Sequence, residues 1–390
     1  MQKDTHSRSD REFAGAADEQ APPVLPATTR EIHLAARPSG APVASDFALV
    51  STPIPELADG QILVRNTWMS VDPYMRGRMN DKPSYIPPFQ LGQALEGSAT
   101  GEVIASRSAE IPVGATVTHF AGWREHAVLD AAQATPIDPA VAAPHHFLGA
   151  LGTTGLTAYA ALTDVAPIEP GDTVFISAAA GAVGSVAGQI ARVLGAGRVI
   201  GSAGGPAKTE LLTAEFGFDA AIDYRAGDLS GRLAAAAPDG IDVYLDSVGG
   251  DHLRAAVEAM RPRGRIALVG AISGYNGGSA ERGPDLYLAA TGEITLRGML
   301  VNSYFPLFGE YIAKASGWLA DGTLRTRETI YDGLEQAPAA FLGVLTGANS
   351  GKMLVRLDQR GSNAPGVQPR RKATRNPAAV AIPTHQPPSR

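Results

Sequence analysis

The stretch Ser177-Ala-Ala-Ala-Gly181-Ala-Val-Gly184 carries the residue types best suited to chemistry. An apolar run, Thr173-Val-Phe-Ile-Ser177, leads into it, and a helical pattern reaching Leu194 leads out. A glycine turn between strand and helix presents free N–H groups and the positive end of the helix dipole to a phosphate. Gly181 lets the backbone approach a pyrophosphate, and Gly184 lets the helix pack close to the strand. Ala179 stands where the usual G-x-G-x-x-G pattern has its first glycine. The chemistry implied is dinucleotide binding.

The next strand selects the nucleotide. Sites for NAD place an Asp or Glu roughly 20 residues past the turn, against the ribose 2′-hydroxyl. Here Arg198-Val-Ile-Gly201 runs into Ser202-Ala-Gly-Gly205 with no carboxylate, Lys208 follows, and Tyr224-Arg225 closes the following strand. An uncharged opening with a lysine and an arginine in reach suits a 2′-phosphate, so NADPH is the expected cofactor. Two further strand exits, Asp246-Ser247-Val-Gly-Gly250 and Gly270-Ala271-Ile272-Ser-Gly-Tyr275-Asn276, fall on the same sheet edge. They are expected beside the nicotinamide half.

These residues need a Rossmann doubly wound parallel sheet to position them, and the pattern supplies one. From about residue 156 to 324, strand-like runs alternate with helix-length segments, which means βαβ units. Residues 29–155 are β-rich, with short alternating runs between Pro and Gly turns. After a helix expected over 304–320, the elements Glu328–Tyr331, Ala337–Leu345 and Lys352–Leu357 are expected to return over 325–358 and complete that first domain. Residues 1–28 and the basic segment 359–390, with Arg370, Arg371, Lys372 and Arg375, read as disordered tails.

Composition closes off several functions. The 390 residues carry a net charge of −6, against a nucleic-acid partner, and no cysteine, which removes disulfides, thiolate metal sites and cysteine nucleophiles. No run approaches the roughly 20 apolar residues of a membrane span, and residues 1–20 lack the apolar core of a secretory signal. A cytoplasmic enzyme is the expectation. No tyrosine has a lysine four positions later, against the short-chain reductases, and no Gly-x-Ser-x-Gly elbow marks a serine hydrolase. His145 and His146 are adjacent, so their side chains are expected to diverge, and no metal site is expected.

In combination, Val71-Asp-Pro-Tyr74-Met-Arg76, Gly155-Leu-Thr-Ala-Tyr159, the glycine turn, the two strand exits and Asn349-Ser-Gly-Lys352 resemble the zinc-independent medium-chain reductases. The likeness spans about residues 30–358 and is greatest to the prostaglandin, alkenal and curcumin reductase branch. It implies an α/β fold with a GroES-like β-rich domain beside the Rossmann domain, in a homodimer. It also implies a pyrophosphate site at Gly181, Ala182, Val183 and Gly184, with Ser185 beside them, and a 2′-phosphate site at Lys208 and Tyr224. Ser247, Leu300, Val301, Asn302 and Asn349 become cofactor contacts. Tyr275 resembles the tyrosine near the reacting carbonyl, and Tyr74 one lining the substrate pocket. Zinc-dependent relatives have Gly-His-Glu where this chain has Ala94-Leu-Glu-Gly97. The implied reaction is NADPH-dependent reduction of an enone or alkenal C=C bond. Quinone reduction is the alternative, and a non-enzymatic NADP-binding protein a weaker one. The loop 277–283 is expected at the pocket mouth.

Overall fold

The computed structural model describes residues 25–277 and 283–357. The pocket-mouth residues 278–282 and the basic segment lie outside them. The expected amino-terminal tail ends sooner than residue 28: Ala27 accepts a hydrogen bond from Ile54 at 2.9 Å, and the first strand opens at Thr28.

Strands β1 (Thr28–Leu34) and β2 (Phe47–Pro53) pair antiparallel. Strands β3 (Gln61–Ser70), β4 (Ala99–Ser106), β5 (Thr116–His119), β6 (His126–Asp130) and β7 (Thr135–Pro136) follow, with the short helix α1 (Met75–Arg78) after β3. Helix α2 (Thr153–Ala160) then precedes a regular series. This is β8 (Thr173–Ile176), α3 (Ala182–Val193), β9 (Arg198–Ala203), α4 (Pro206–Ala214), β10 (Ala220–Asp223), α5 (Leu229–Ala236), β11 (Ile241–Asp246), α6 (Gly250–Ala259), β12 (Met260–Leu268), α7 (Leu286–Thr291) and β13 (Thr295–Gly298). Helix α8 (Phe308–Ala320), β14 (Glu328–Asp332), α9 (Ala337–Leu345) and β15 (Lys352–Arg356) end the described chain.

The six strands β8 to β13 form one parallel sheet in the order β10-β9-β8-β11-β12-β13, the doubly wound order whose reversal point lies between β8 and β11. Side-chain alternation explains the two helical layers. Val174 and Ile176 of β8 pack with α3, while Phe175 between them packs with Tyr244 and α6 on the other face. The second sheet runs β14-β15-β3-β4-β5-β7, with β6 also on β3, so the last described strand pairs with the first long one. The helix expected from Tyr304 is shorter. Residues 301–307 form a 3₁₀ turn containing Pro306, and α8 starts at Phe308. Proline removes a backbone donor and disfavours α geometry in the residue before it.

One buried polar group gives this second sheet a pH signature. His119 Nδ1 accepts from the Ala121 N–H at 3.0 Å, so the ring proton sits on Nε2 and is donated to Asn66 Oδ1 at 2.8 Å. Asn66 in turn donates to the carbonyls of Ala121 and Arg124. Burial, reinforced by the Arg124 charge, lowers the imidazole from 6.5 to about 4. A depressed histidine leaves stability intact above the unfolded value, and stability falls as pH drops from 6.5 toward 4. The expected loss is about 3 kcal/mol. Urea unfolding of wild type and His119→Gln across this range measures it. Equal losses in both proteins would remove His119 from the account.

Candidate active site

A cleft of about 880 Å³ runs between the two sheets, from the carboxyl ends of β8 to β12 to the segment after β3. It gathers most of the residues singled out by sequence: Gly181, Ala182, Val183 and Gly184 on one wall, Lys208 and Tyr224 at one end, and Ser247, Gly270 and Ile272 in the middle. Asn349 and Leu300, Val301 and Asn302 complete its Rossmann side, and Tyr74 and Tyr275 its far end.

The turn has the close packing its glycines imply. A Cβ on Gly184 would lie 2.6 Å from Ala178 O and Ala179 Cα, whereas at Gly181 it meets only Ala178 O, at 3.1 Å. Gly181 N–H closes the turn on Ala178 O at 2.8 Å, and the first helical bond runs from Ser185 N–H to Gly181 O at 3.1 Å. The N–H groups of Ala182, Val183 and Gly184 precede that bond and stand at the cleft wall. Two candidates do not reach the cleft. Ser185 is buried one position further into α3, and Ala271 turns away to pack against Gly249.

The Lys208 end is lined also by Tyr224, Asp228, Asp251 and His252. Lys208 Nζ donates to Gly347 O at 2.8 Å, and the Arg225 guanidinium crosses Gly204 and lies over the Tyr224 ring. Among the described residues no ion pair is recorded for either cation. Burial, with the Arg225 charge beside it, lowers the Lys208 amine. His252 also lines this end, in edge contact with Tyr224, and its buried Nε2 has no hydrogen-bond partner among the described residues. Sequence reasoning missed it. Its placement two residues after Gly250, in the first turn of α6, was the only signal.

The middle of the cleft is shaped by Asp246. Its Oδ1 accepts from Tyr244 Oη (2.8 Å), the N–H groups of Val248 and Gly249 (both 2.9 Å) and Ser177 Oγ (3.2 Å). One carboxylate oxygen therefore ties both strand ends together at the reversal point. Ser247 Oγ beside it is buried and unbonded among the described residues, which leaves it free for a ligand.

The far end carries phenols on apolar walls. Tyr74 Oη is buried and has no partner among the described residues. Burial, and then the charge of Asp72, hold this phenol well above its ordinary value. Tyr85, which the sequence did not single out, lines the same end, and burial followed by the neighbouring Tyr275 raises its phenol too. Arg76 Nε donates to Asn276 Oδ1 at 3.3 Å and joins α1 to the exit of β12. Lys352 Nζ donates to Asp72 Oδ1 at 2.6 Å, a partly buried pair joining β15 to the segment after β3.

Comparison with known proteins accords with this geometry. Residues 30–137 match the N-terminal domain of oxidoreductase, and residues 182–319 the zinc-binding dehydrogenase family. The chain is 41% identical over 338 residues to a putative NADP-dependent oxidoreductase of Bacillus subtilis, covering 85% of this chain and 99% of the relative. It is 36% identical to an NADPH-dependent curcumin reductase of Escherichia coli, covering 83% and 95% of the two chains. The crystal structure of CurA from Vibrio vulnificus in complex with NADPH superposes with a TM-score of 0.81 at 40% identity, over 85% of this chain and 99% of that one. No helix among the described residues is long and apolar enough to cross a membrane. The chain belongs to the medium-chain dehydrogenase/reductase family, in the branch of NADP-dependent oxidoreductases that holds the curcumin, alkenal and prostaglandin reductases.

Proposed function

We propose that this protein reduces the carbon–carbon double bond of α,β-unsaturated ketones or aldehydes with NADPH. The observation that carries the reading is one continuous cleft with the glycine turn and Lys208, with Arg225 beside it, at one end, and at the other a buried phenol without a hydrogen bond among the described residues. The residues fit the cofactor: Gly184 keeps the turn tight, Ala182 to Gly184 offer N–H groups, and Ser247 offers a free hydroxyl. When bound, NADPH supplies the hydride that adds to the β-carbon.

The chain's own residues handle the charge that results. Addition at the β-carbon pushes negative charge onto the carbonyl oxygen, which needs a donor in a dry pocket. Tyr275 and Tyr74 are the donors in this reading. Tyr74 is preset for the role, because its raised phenol stays protonated through the working pH range and its Oη is spent on nothing else. The enolate then takes a proton at the α-carbon from a tyrosine or water. Removing one such donor costs about 10²-fold in kcat with little change in KM. Tyr74→Phe and Tyr275→Phe are each expected to show this with an enone substrate. Full turnover in both variants would take the phenols out of the chemistry.

Quinones are the second substrate class that an apolar cleft ending in phenols admits. Relative kcat/KM for a matched enone and quinone separates the two. We further propose a homodimer. Strand β13 is the edge of the parallel sheet and largely exposed, and α7 before it leaves Leu286 69% and Tyr287 78% exposed. Sedimentation equilibrium that returns a monomer at all concentrations would reject it.

A further inference from the structure

A side-chain cluster outside the cleft carries a different chemistry. The 3₁₀ turn Pro144–Leu148 takes the chain from the second sheet toward the parallel one, and Glu328, the first residue of β14, stands where it comes back. Contrary to expectation, the adjacent histidines of that turn do not diverge. Their rings lie 4.2 Å apart, and Trp68 of β3 backs His145 at 5.1 Å. A 3₁₀ turn has three residues per turn, and here the local twist brings both rings to one side.

His145, His146 and Glu328 each present one ligand atom, and the three atoms lie within 4.8 Å of one another. His146 Nδ1 is buried without a hydrogen bond among the described residues and faces Glu328 Oε1 at 3.8 Å. That gap is too long for a hydrogen bond. It is close to the separation of about 3.4 Å expected between two ligands of one tetrahedral ion with bonds near 2.1 Å. The imidazole is the only ion-pair contact of Glu328 among the described residues, so this half-buried carboxylate has no lysine or arginine to neutralise it. None of the three residues lines the reducing cleft.

We propose that His145, His146 and Glu328 form a site for one divalent transition ion of the zinc type. Two imidazoles and a carboxylate select such an ion over magnesium or calcium, which prefer all-oxygen sets, and water completes the tetrahedron. The ion is structural. It pins the outgoing crossing between the sheets to the returning one, without touching the hydride path.

The test uses the tag-free full chain, stripped with a chelator and titrated with Zn(II) or Co(II) chloride. One ion per chain is expected, with a rise in Tm under Zn(II) and none under Mg(II). Co(II) is expected to broaden the NMR signals of His145 and His146 selectively among the eight histidines. This readout needs no variant, so it survives a variant that misfolds. Glu328→Gln and His146→Gln should each weaken binding by at least about tenfold. His33→Gln, at the separate His33–Glu31 contact, should leave it unchanged. No stoichiometric binding, or broadening spread over other histidines, or equal affinity in wild type and Glu328→Gln, overturns the proposal.

Discussion

Replacing Lys208 and Arg225 together with alanine is expected to raise the KM for NADPH about 10²- to 10³-fold while leaving that for NADH within a few-fold. Each charge-assisted hydrogen bond to a phosphate is worth roughly 1.5–3 kcal/mol, and in the proposed site two cations would share one anion. Lys208 is half-buried with its amine lowered by burial and by Arg225, and neither cation forms an ion pair among the described residues. A dianionic phosphate between them relieves that repulsion, whereas a ribose hydroxyl does not. The single Lys208→Ala variant should show about half the effect in free energy. The effect should shrink at high ionic strength less than a surface pair would, because the site is partly enclosed. Unchanged NADPH-to-NADH preference in the double variant would mean that the 2′-phosphate binds elsewhere.

Gly351→Ala is expected to destabilise the protein by at least about 4 kcal/mol, a size reserved for substitutions that break a defined feature of the backbone. Two independent obstacles meet there. Gly351 has φ +70°, where an L side chain is strained, and an added Cβ would lie 1.8 Å from Arg327 O. Moving Arg327 away is not cheap, because its carbonyl accepts the Lys352 N–H at 2.8 Å at the mouth of the β14–β15 pairing. Gly351 N–H also donates to Ala180 O at 2.8 Å, within the phosphate turn, so weaker NADPH binding should accompany the lost stability. Denaturant unfolding and cofactor titration measure both. An unchanged midpoint with unchanged affinity would show that the chain relaxes around the methyl group freely.

Sequence alone made the parallel sheet legible because each of its strands is an apolar run punctuated by a helix of fixed length, and such patterns are local. The candidate residues on its strand exits were legible as cleft-lining positions for the same reason. What was not legible depends on chain segments far apart in sequence. Lys352 and Asp72 form their partly buried pair across 280 positions. Tyr85 and His252 look like ordinary loop and helix residues until the second sheet and the first turn of α6 are placed beside the cleft. Ser185 and Ala271 each neighbour a cleft residue in sequence, yet neither lines the cleft itself. The two histidines were misjudged because their convergence is a property of one turn's dihedral angles and of the Trp68 ring behind it, neither of which adjacency reveals.

Strand β15 lies between β14 and β3, and its leading glycine touches the phosphate turn some 170 residues earlier in the chain. On the ribosome, the glycine turn and all six strands around it are therefore made well before the segment that braces them. The nascent protein holds a complete parallel sheet beside an unfinished partner sheet until residue 351 clears the exit tunnel. Long-range pairing of this kind forms slowly, after local βα units have settled. The glycine turn is thus braced last, and a chain stalled or cleaved short of β15 would keep the parallel sheet without that brace.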